Sequence, residues 1–464
     1  MNKLYFGDNL EILREMPDGR VHLICTDPPF NSGRDYNTFL GDSLAQKKAF
    51  TDTWTWDTAA QDARADIEQR AFSSDTYKAL DTCLKGYDLV LQNAVSGNKG
   101  AMRAYLTFMG PRLAEMHRVL TSESSIYLHC DPTASHYLKG VMDAIWDQEN
   151  HSKNASFRNE IVWSYRRWPA KHPNFQRMHD IILRYAKGTN VTWNQLYEPK
   201  PASTLKRFGN KKIKSAYAPD GRRVPSEVTN EESREVPLRD VWEISVIAPS
   251  AKERLGYPTQ KPLALYERMI KASSNEGDIV LDPFCGCGTT IDAAHTLNRQ
   301  WMGIDITILA LDPMRQRLAD RHGLEPSVDY QIEGYPTNMQ EVQKFLKEGD
   351  KRKYHDFSNW AVTRLGLRPT KDVGDGGLDG VGHVTLWNPQ QLKETNARIF
   401  AEVKTGKPTV TQVRAFCRVM DKNNAEVGIF ITLEPVTAKM RQEAQDMGTF
   451  EHNNKPIRVS NFGS

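Results

Sequence analysis

The stretch Asp278-Ile279-Val280-Leu281-Asp282-Pro283-Phe284-Cys285-Gly286-Cys287-Gly288-Thr289-Thr290 decides the fold. Ile279 to Leu281 is a short apolar run of the kind buried on both faces of a parallel sheet. Gly286 and Gly288 supply a tight turn whose backbone can approach a ligand that a Cβ would exclude. A helix follows to about Leu297, and Trp301-Met302-Gly303-Ile304-Asp305 reads as the next strand. Strand, glycine turn, helix and a second strand ending in an acid form a nucleoside-binding α/β unit. Asp305 stands 17 positions after Gly288, close to the ~20 that sets an acid on a ribose diol. The phosphate fingerprint G-x-G-x-x-G is missing, because Thr290-Ile291 follows the glycines, and no G-x-x-x-x-G-K-[ST] loop occurs. A nucleoside ligand without a pyrophosphate, such as S-adenosylmethionine, fits better than NAD or ATP. Cys285-x-Cys287 has no second Cys/His pair nearby, so a zinc site is not expected.

The N-terminus repeats the α/β theme. Asn9 to Met16 carries Leu10, Ile12, Leu13 and Met16 at helical spacing. Val21 to Cys25 is a buried-type strand that stops at Asp27-Pro28-Pro29-Phe30, since neither proline can continue a ladder. The end of such a strand is where open α/β sheets place ligands. There Asp27 and the Pro28 carbonyl can each accept one N–H of an exocyclic base amine. That draws the conjugated nitrogen towards a tetrahedral, nucleophilic form. Pro28 and Pro29 stiffen the carbonyl's direction, and Phe30 offers a ring face to a base swung out of its stack. Four residues alone are also compatible with a strand-ending turn.

Further strands are expected at Ser125–Cys130, Asn159–Trp163 and Asp180–Tyr185, and helices at Tyr105–Leu120, Ser135–Trp146 and Pro262–Ala272. Residues 41–100 read as a polar, tryptophan-marked helical insertion over the catalytic face. From Glu198 to Pro237 apolar periodicity fades. Lys200, Lys206, Arg207, Lys211, Lys212, Lys214, Arg222 and Arg223 crowd together there, opposed between Lys200 and Arg223 only by Asp220. Such a run suits a solvated loop or a phosphate-contacting surface.

Taken together and in this order, the motifs from Lys3 to about Arg317 resemble the beta group of DNA amino-methyltransferases. The catalytic motif of that group precedes its cofactor motif in the chain. Gly7–Leu13, Thr26–Gly33, Leu128–Asp131, Glu160–Trp163, Tyr257–Pro262 and Asp282–Thr290 carry the resemblance, and Asn31–Tyr36 is similar to type III modification subunits. The resemblance implies a Rossmann-like S-adenosylmethionine-dependent fold with insertions. It implies cofactor roles for Asp282, Phe284, Gly286, Gly288 and Asp305, and for Asp8 near the adenine. It also makes the basic run a target-recognition region, about 195–250. Asp as first residue of the catalytic motif favours adenine over cytosine as substrate. Phe30 departs from the more usual Tyr, although both rings stack.

The last hundred residues hold a second chemistry. Asp379 follows a glycine-rich entry, Gly374 to Gly377, and Ile399 to Lys404 is a strand on which Glu402 and Lys404 share one face. Two hard carboxylates can hold Mg²⁺ while water and phosphate keep places in its shell, and Lys404 can orient an attacking water. The stretches Gly374–Gly380, Ala401–Lys404 and Gly428–Thr432 resemble the Mrr-type branch of the restriction-endonuclease-like α/β fold. Ser358 replaces the acid that this branch commonly carries after its helical Phe.

These readings divide the 464 residues into a methyltransferase domain (1–332), a linker (333–355) and a nuclease-like domain (356–464). The formal charge of +3, from 61 basic and 58 acidic residues, argues against binding nucleic acid by bulk charge and for one local basic face. Six scattered cysteines and the absence of a signal-like or membrane-length apolar run suit a cytoplasmic, nucleoid-associated protein with reduced thiols. The partners implied are double-stranded DNA, a second copy as homodimer, and a separate ATP-dependent restriction subunit. The alternative reading is a solitary or translocase-partnered modification enzyme whose last domain only binds DNA.

Overall fold

Alternation of side chains along the strands builds two cores, one on each face of the main sheet. In Val21–Thr26, Leu23 and Cys25 enter one core and Ile24 the other; in Ile279–Asp282, Val280 and Leu281 divide the same way. The computed structural model describes residues 2–30, 34–39, 46–52, 54–93, 99–147, 156–168, 173–233, 235–255, 257, 259–306 and 308–334. Further along it describes 354, 357–359, 361–362, 365, 367–370, 378–388, 393–423, 425, 427–446, 450–452 and 455–457.

The sheet has nine strands in the order Val241–Glu243, Phe157–Ser164, His179–Ala186, Leu120–Cys130, Val21–Thr26, Ile279–Asp282, Gln300–Asp305, Asn2–Phe6 and Tyr330–Glu333. Every neighbouring pair is parallel except the two formed by His179–Ala186, which runs against both its neighbours. Helices cover both faces. Leu138, Val141, Met142 and Ile145 of Ser135–Trp146 recur at helical spacing and join Leu13, Met109, Leu113, Ile126 and Leu128. On the other face Leu265, Met269 and Ile270 of Leu263–Ser273 pack with Leu311, Met314 and Leu318 of Ile308–His322.

The helical insertion expected over 41–100 is corrected in two ways. Arg34–Phe39 and Gln46–Asp52 form an antiparallel pair ahead of the helices Thr58–Arg70 and Asp75–Asn93. Those helices form an outer layer: Tyr77, Leu80, Leu84 and Leu91 recur on one face of Asp75–Asn93 and bury into the same core as the helices beneath. Trp54 approaches the loop after Ile279–Asp282, packing on Phe108, which faces Phe284.

The segment from Glu198 to Pro237 is more ordered than fading periodicity implied. It contains the helix Ala202–Phe208 and a hairpin of Lys211–Tyr217 against Arg223–Glu232, with Tyr197–Pro199 paired to Glu235–Pro237. Alternating polar residues on a two-sided exposed hairpin leave no apolar stripe to read.

The last part forms a four-stranded sheet in the order Arg368–Pro369, Gly380–Asn388, Lys393–Lys404, Val427–Thr432. Its core gathers Phe357, Val362, Leu367, Ala401, Val403 and Leu433. The helix Val410–Lys422 opens on a capping box in which Thr409 and Gln412 satisfy each other's backbone N–H groups. Residues 335–353 of the linker, the residues 31–33 and the glycines Gly374 to Gly377 lie outside the described residues.

Candidate active site

Parallel strands that end at one edge bring their following residues together. Asp8, Asp27, Asp131, Asp282 and Asp305 all lie at or just beyond strand ends on that edge, and Asp180 joins them because its strand is reversed and begins there. Six carboxylates on one edge repel unless something compensates them, and the structure shows what does.

Asp27 is nearly buried, and both its oxygens are engaged. Lys261 pairs with Oδ2, and His129 Nδ1 lies 2.8 Å from Oδ1. Burial pushes the carboxyl's pKa up, but the charges of Lys261 and His129 outweigh it and hold it down to about 2. Phe30 sets its edge against His129 at 5.1 Å between centroids, and the Lys261 ammonium stands 5.1 Å from the Phe30 ring. Pro28 is buried and Pro29 half-buried beside them.

The cofactor-type turn is held by its own acids. Asp282 accepts the Phe284 N–H at 3.1 Å and the Thr290 hydroxyl. Asp305 accepts the Gly286 N–H at 2.8 Å, bracing the turn from the next strand. Gly286 and Gly288 have φ of 48° and 76°, in the left-handed region. A Cβ on Gly288 would stand 2.5 Å from Met314 Cγ, so only glycine fits there. Tyr257 lies against Gly286 and Met314 against Gly288, so the turn is backed by side chains as well as by its two acids.

Asp8 is tied to the elements around it. It caps the helix Asn9–Glu15 through the Leu10 N–H, and both its oxygens accept from Arg112 Nη2 at 2.8 Å. Arg112 also donates to Asn9 Oδ1, and Asn9 donates to the Pro283 carbonyl at 2.7 Å, so the group steers the loop entrance from behind. Arg112 is buried and stacks on Phe108, and burial lowers its pKa to about 10 despite Asp8.

Of the basic run, Lys206, Arg207, Lys211, Lys212, Lys214 and Arg222 are exposed. Lys212 pairs with Glu231, and Arg222 with Asp220. The strand carrying Arg223 brings Glu227 opposite Lys214 and Glu232 opposite Lys211. The sequence window that ended at Arg223 missed these acids because they return only through the hairpin. Lys200 is buried, donating to the Lys211 carbonyl, and serves the hairpin's base.

In the last domain Asp379, Glu402 and Lys404 lie close together. Lys404 Nζ lies 2.5 Å from Glu402 Oε1, and the Val403 N–H donates to Asp379 Oδ2 at 2.7 Å. Burial raises the Glu402 carboxyl's pKa, Lys404 lowers it, and nearby Asp379 raises it again. Among the described residues no group of three His, Cys, Asp or Glu side chains could hold a metal. Two carboxylates fit Mg²⁺ only as a site whose remaining places go to water and phosphate.

An acid-lined sheet edge, a stiffened Asp-Pro-Pro-Phe turn and a glycine turn one strand away stand together at the strand ends where open α/β sheets place ligands. Residues 21–312 match the family described as DNA methylase, and the chain belongs to that family. Residues 347–451 match a family described as restriction endonuclease. The type II methyltransferase M.HpaI of Haemophilus parainfluenzae is 27% identical over 383 residues, covering 80% of this chain and 94% of its own. The DNA adenine methyltransferase YhdJ of Escherichia coli is 26% identical, covering 65% of this chain and 76% of its own. Among solved structures, the M1.HpyAVI–SAM complex is 18% identical with a TM-score of 0.36, covering 68% of this chain and 99% of its own. The protein is thus an S-adenosylmethionine-dependent DNA methyltransferase joined to a restriction-endonuclease-like domain.

No local pattern in the sequence marks His129, Asp180, Lys261 or Arg112 as partners of the acids. His129 and Lys261 stand within the motif segments Leu128–Asp131 and Tyr257–Pro262. Their signal was positional, a polar residue one step from the end of an apolar strand and a lysine between prolines, and neither reveals its partner. Arg112 and Asp8 are 104 positions apart, beyond the reach of any local pattern.

Proposed function

We propose that the enzyme methylates the exocyclic amine of adenine in duplex DNA. The observation that carries this reading is the ionised, buried carboxylate of Asp27, one strand away from the glycine turn. Asp27 and the Pro28 carbonyl accept the two N–H groups of the amine and Phe30 stacks on the flipped base. Bound S-adenosylmethionine supplies the electrophilic methyl group. Asp282, Phe284, Gly286, Gly288 and Asp305 form its cradle, with Asp8 one layer behind. A pKa of about 2 keeps Asp27 ionised and a weak base, so it orients the amine without first removing its proton. The acid at the first motif position and the likeness to an enzyme named as an adenine methyltransferase favour adenine over cytosine. The exposed cations Lys206, Arg207, Lys211, Lys214 and Arg222 contact the DNA backbone, with the recognition region spanning about 195–250.

Labelled methyl transfer to duplex DNA, followed by nucleoside analysis, tests this. N6-methyladenine is expected from the wild type and none from Asp27→Ala, whose cofactor affinity stays within a few-fold of wild type. N4-methylcytosine would overturn the adenine assignment, and full methylation by Asp27→Ala would overturn the mechanism.

We further propose that residues 356–464 cut DNA with Mg²⁺ held by Asp379 and Glu402, Lys404 orienting the attacking water. The contact between Lys404 and Glu402 and the nearness of Asp379 support it. Incubation of unmethylated DNA with Mg²⁺ should give cleavage by wild type and none by Glu402→Ala; equal cleavage removes Glu402 from the reaction. One recognition surface on one cytoplasmic chain would then both mark sites and direct cutting of unmarked ones.

A further inference from the structure

His129 is a fully buried histidine at the catalytic edge whose two ring nitrogens both face carboxylates. Nδ1 lies 2.8 Å from Asp27 Oδ1, and Nε2 lies 3.3 Å from Asp180 Oδ2. Neither N–H is aligned as a hydrogen bond, so these are close charge contacts. A neutral imidazole has one N–H and one lone pair. In either tautomer that lone pair would lie close to a carboxylate oxygen, within 3.3 Å, with no proton between them. Only the imidazolium, with a proton on each nitrogen, avoids that repulsion.

The charge count agrees. The groups facing His129 are Asp27 from the catalytic turn, Asp180 from the reversed strand and Lys261 from the segment before Leu263–Ser273. Tyr165 adds a hydroxyl, donated to Asp180 at 3.2 Å, and its pKa is pushed by burial up to about 12, so it keeps its proton. Asp131 and Glu160 stand further off, beside Cys130. Phe30 and Trp163 close the remaining sides with their ring edges, at 5.1 and 5.5 Å. Two anions and two cations balance when His129 is charged. When it is neutral, one negative charge is left buried without compensation, which is strongly unfavourable.

We propose that His129 is a positioning residue for methyl transfer: bridging Asp27 and Asp180 as an imidazolium, it fixes the plane of the carboxylate that receives the target amine. The proposal rests on the reading of Asp27 as the amine's acceptor and adds what holds that acceptor in place. Lys261 fixes one oxygen and His129 the other, so the carboxylate cannot turn about its Cβ–Cγ bond. Asp180 and Tyr165 hold the imidazolium in turn. Burial lowers the pKa of His129, but Asp27 and Asp180 more than offset this and raise it overall. Loss of its proton at higher pH frees Asp27 to rotate and gives the reaction an alkaline limb.

The full-length protein is assayed for single-turnover methyl transfer to duplex DNA across pH, with cofactor affinity by calorimetry and thermal unfolding in parallel. His129→Asn is expected to lower kcat about 100-fold, the scale of a misplaced reacting group, with KM and cofactor affinity little changed and the alkaline limb gone. Asp180→Asn removes one of the carboxylates that raise the His129 pKa, so its alkaline limb should move to lower pH. The double variant His129→Asn/Asp180→Asn restores charge balance around Asp27 and should recover part of the lost kcat. An unmoved limb in Asp180→Asn, wild-type kcat in His129→Asn, or loss of cofactor affinity in step with activity overturns the proposal. Asp27→Asn is run alongside: if it still transfers methyl at the wild-type rate, the reading of Asp27 itself fails. Should His129→Asn not fold, the limb of Asp180→Asn decides alone.

Discussion

Thr290 donates its hydroxyl to Asp282 at 2.5 Å, tying the first turn of the helix Thr289–Thr296 to the end of the strand before it. The carboxyl it meets is completely enclosed, and burial drives its pKa up to about 7 against the hydrogen bonds from Thr290 and Phe284. A folded-state pKa above the ordinary 3.8 means that the folded chain holds the extra proton. The stability this group contributes is complete below that ordinary value and is lost as pH rises towards 7. Asp282→Asn should therefore be more stable than wild type by on the order of 1–3 kcal/mol near about pH 9, and gain little near about pH 3. Urea denaturation at the two pH values checks it; a gain at acid pH only would contradict it.

Lys261 and His129 hold Asp27 ionised against its burial. Without the ammonium, burial regains the upper hand and the carboxyl's pKa climbs. In Lys261→Met the acidic limb of kcat/KM for methyl transfer should shift to higher pH by one unit or more, each unit being about 1.4 kcal/mol. A pH–rate profile with an unmoved acidic limb would show that Lys261 does not set the charge of Asp27.

Gly288→Ala faces two penalties, a left-handed φ of 76° and a Cβ 2.5 Å from Met314 Cγ. Together these should cost about 2–4 kcal/mol and weaken cofactor binding. Met314→Ala in the same chain relieves the contact but not the backbone strain, so recovery should be partial. Chemical denaturation and calorimetric titration with S-adenosylmethionine read both effects, and full recovery would assign the whole penalty to the side-chain contact.

Lys206, Arg207 and Lys214 are exposed, whereas Lys212 and Arg222 already pair with Glu231 and Asp220. Replacing the first three with Ala should reduce the slope of log K against log salt by about 3, roughly one per phosphate contact. Lys212→Ala alone should move it less. Binding isotherms at several salt concentrations distinguish this from a hairpin that never touches DNA, for which the slope stays put.

Periodicity made the strands at Val21, Ile279 and Trp301 legible, because runs buried on both faces read as continuous apolar segments. Asp27, Asp282 and Asp305 were legible with them, since an acid directly after such a run can hardly lie elsewhere than at the sheet's edge. The partners of Asp27 were not. His129 and Lys261 reach it only through strand order, and strand order depends on long-range packing that no window of sequence contains. Asp8 shows the same limit from the other side: its place at the edge could be anticipated, but not the Arg112 that engages it from 104 positions away. The hairpin after Lys211 was missed for a local reason, as an exposed ribbon has no apolar stripe to give it away.

The reversed strand His179–Ala186 has a consequence for how such a protein can change. A strand that runs against its neighbours must be entered where they are left, so the connection from Ser164 to His179 turns around on the edge where the six acids gather. Trp168 and Phe175, both fully exposed, sit in it. Exposed positions such as Trp168 and Phe175 can be exchanged without disturbing either apolar core, whereas Tyr165 at the start of the turn belongs to one. The chain thus carries, beside its chemistry, a segment whose exposed positions selection can rewrite at little cost to folding.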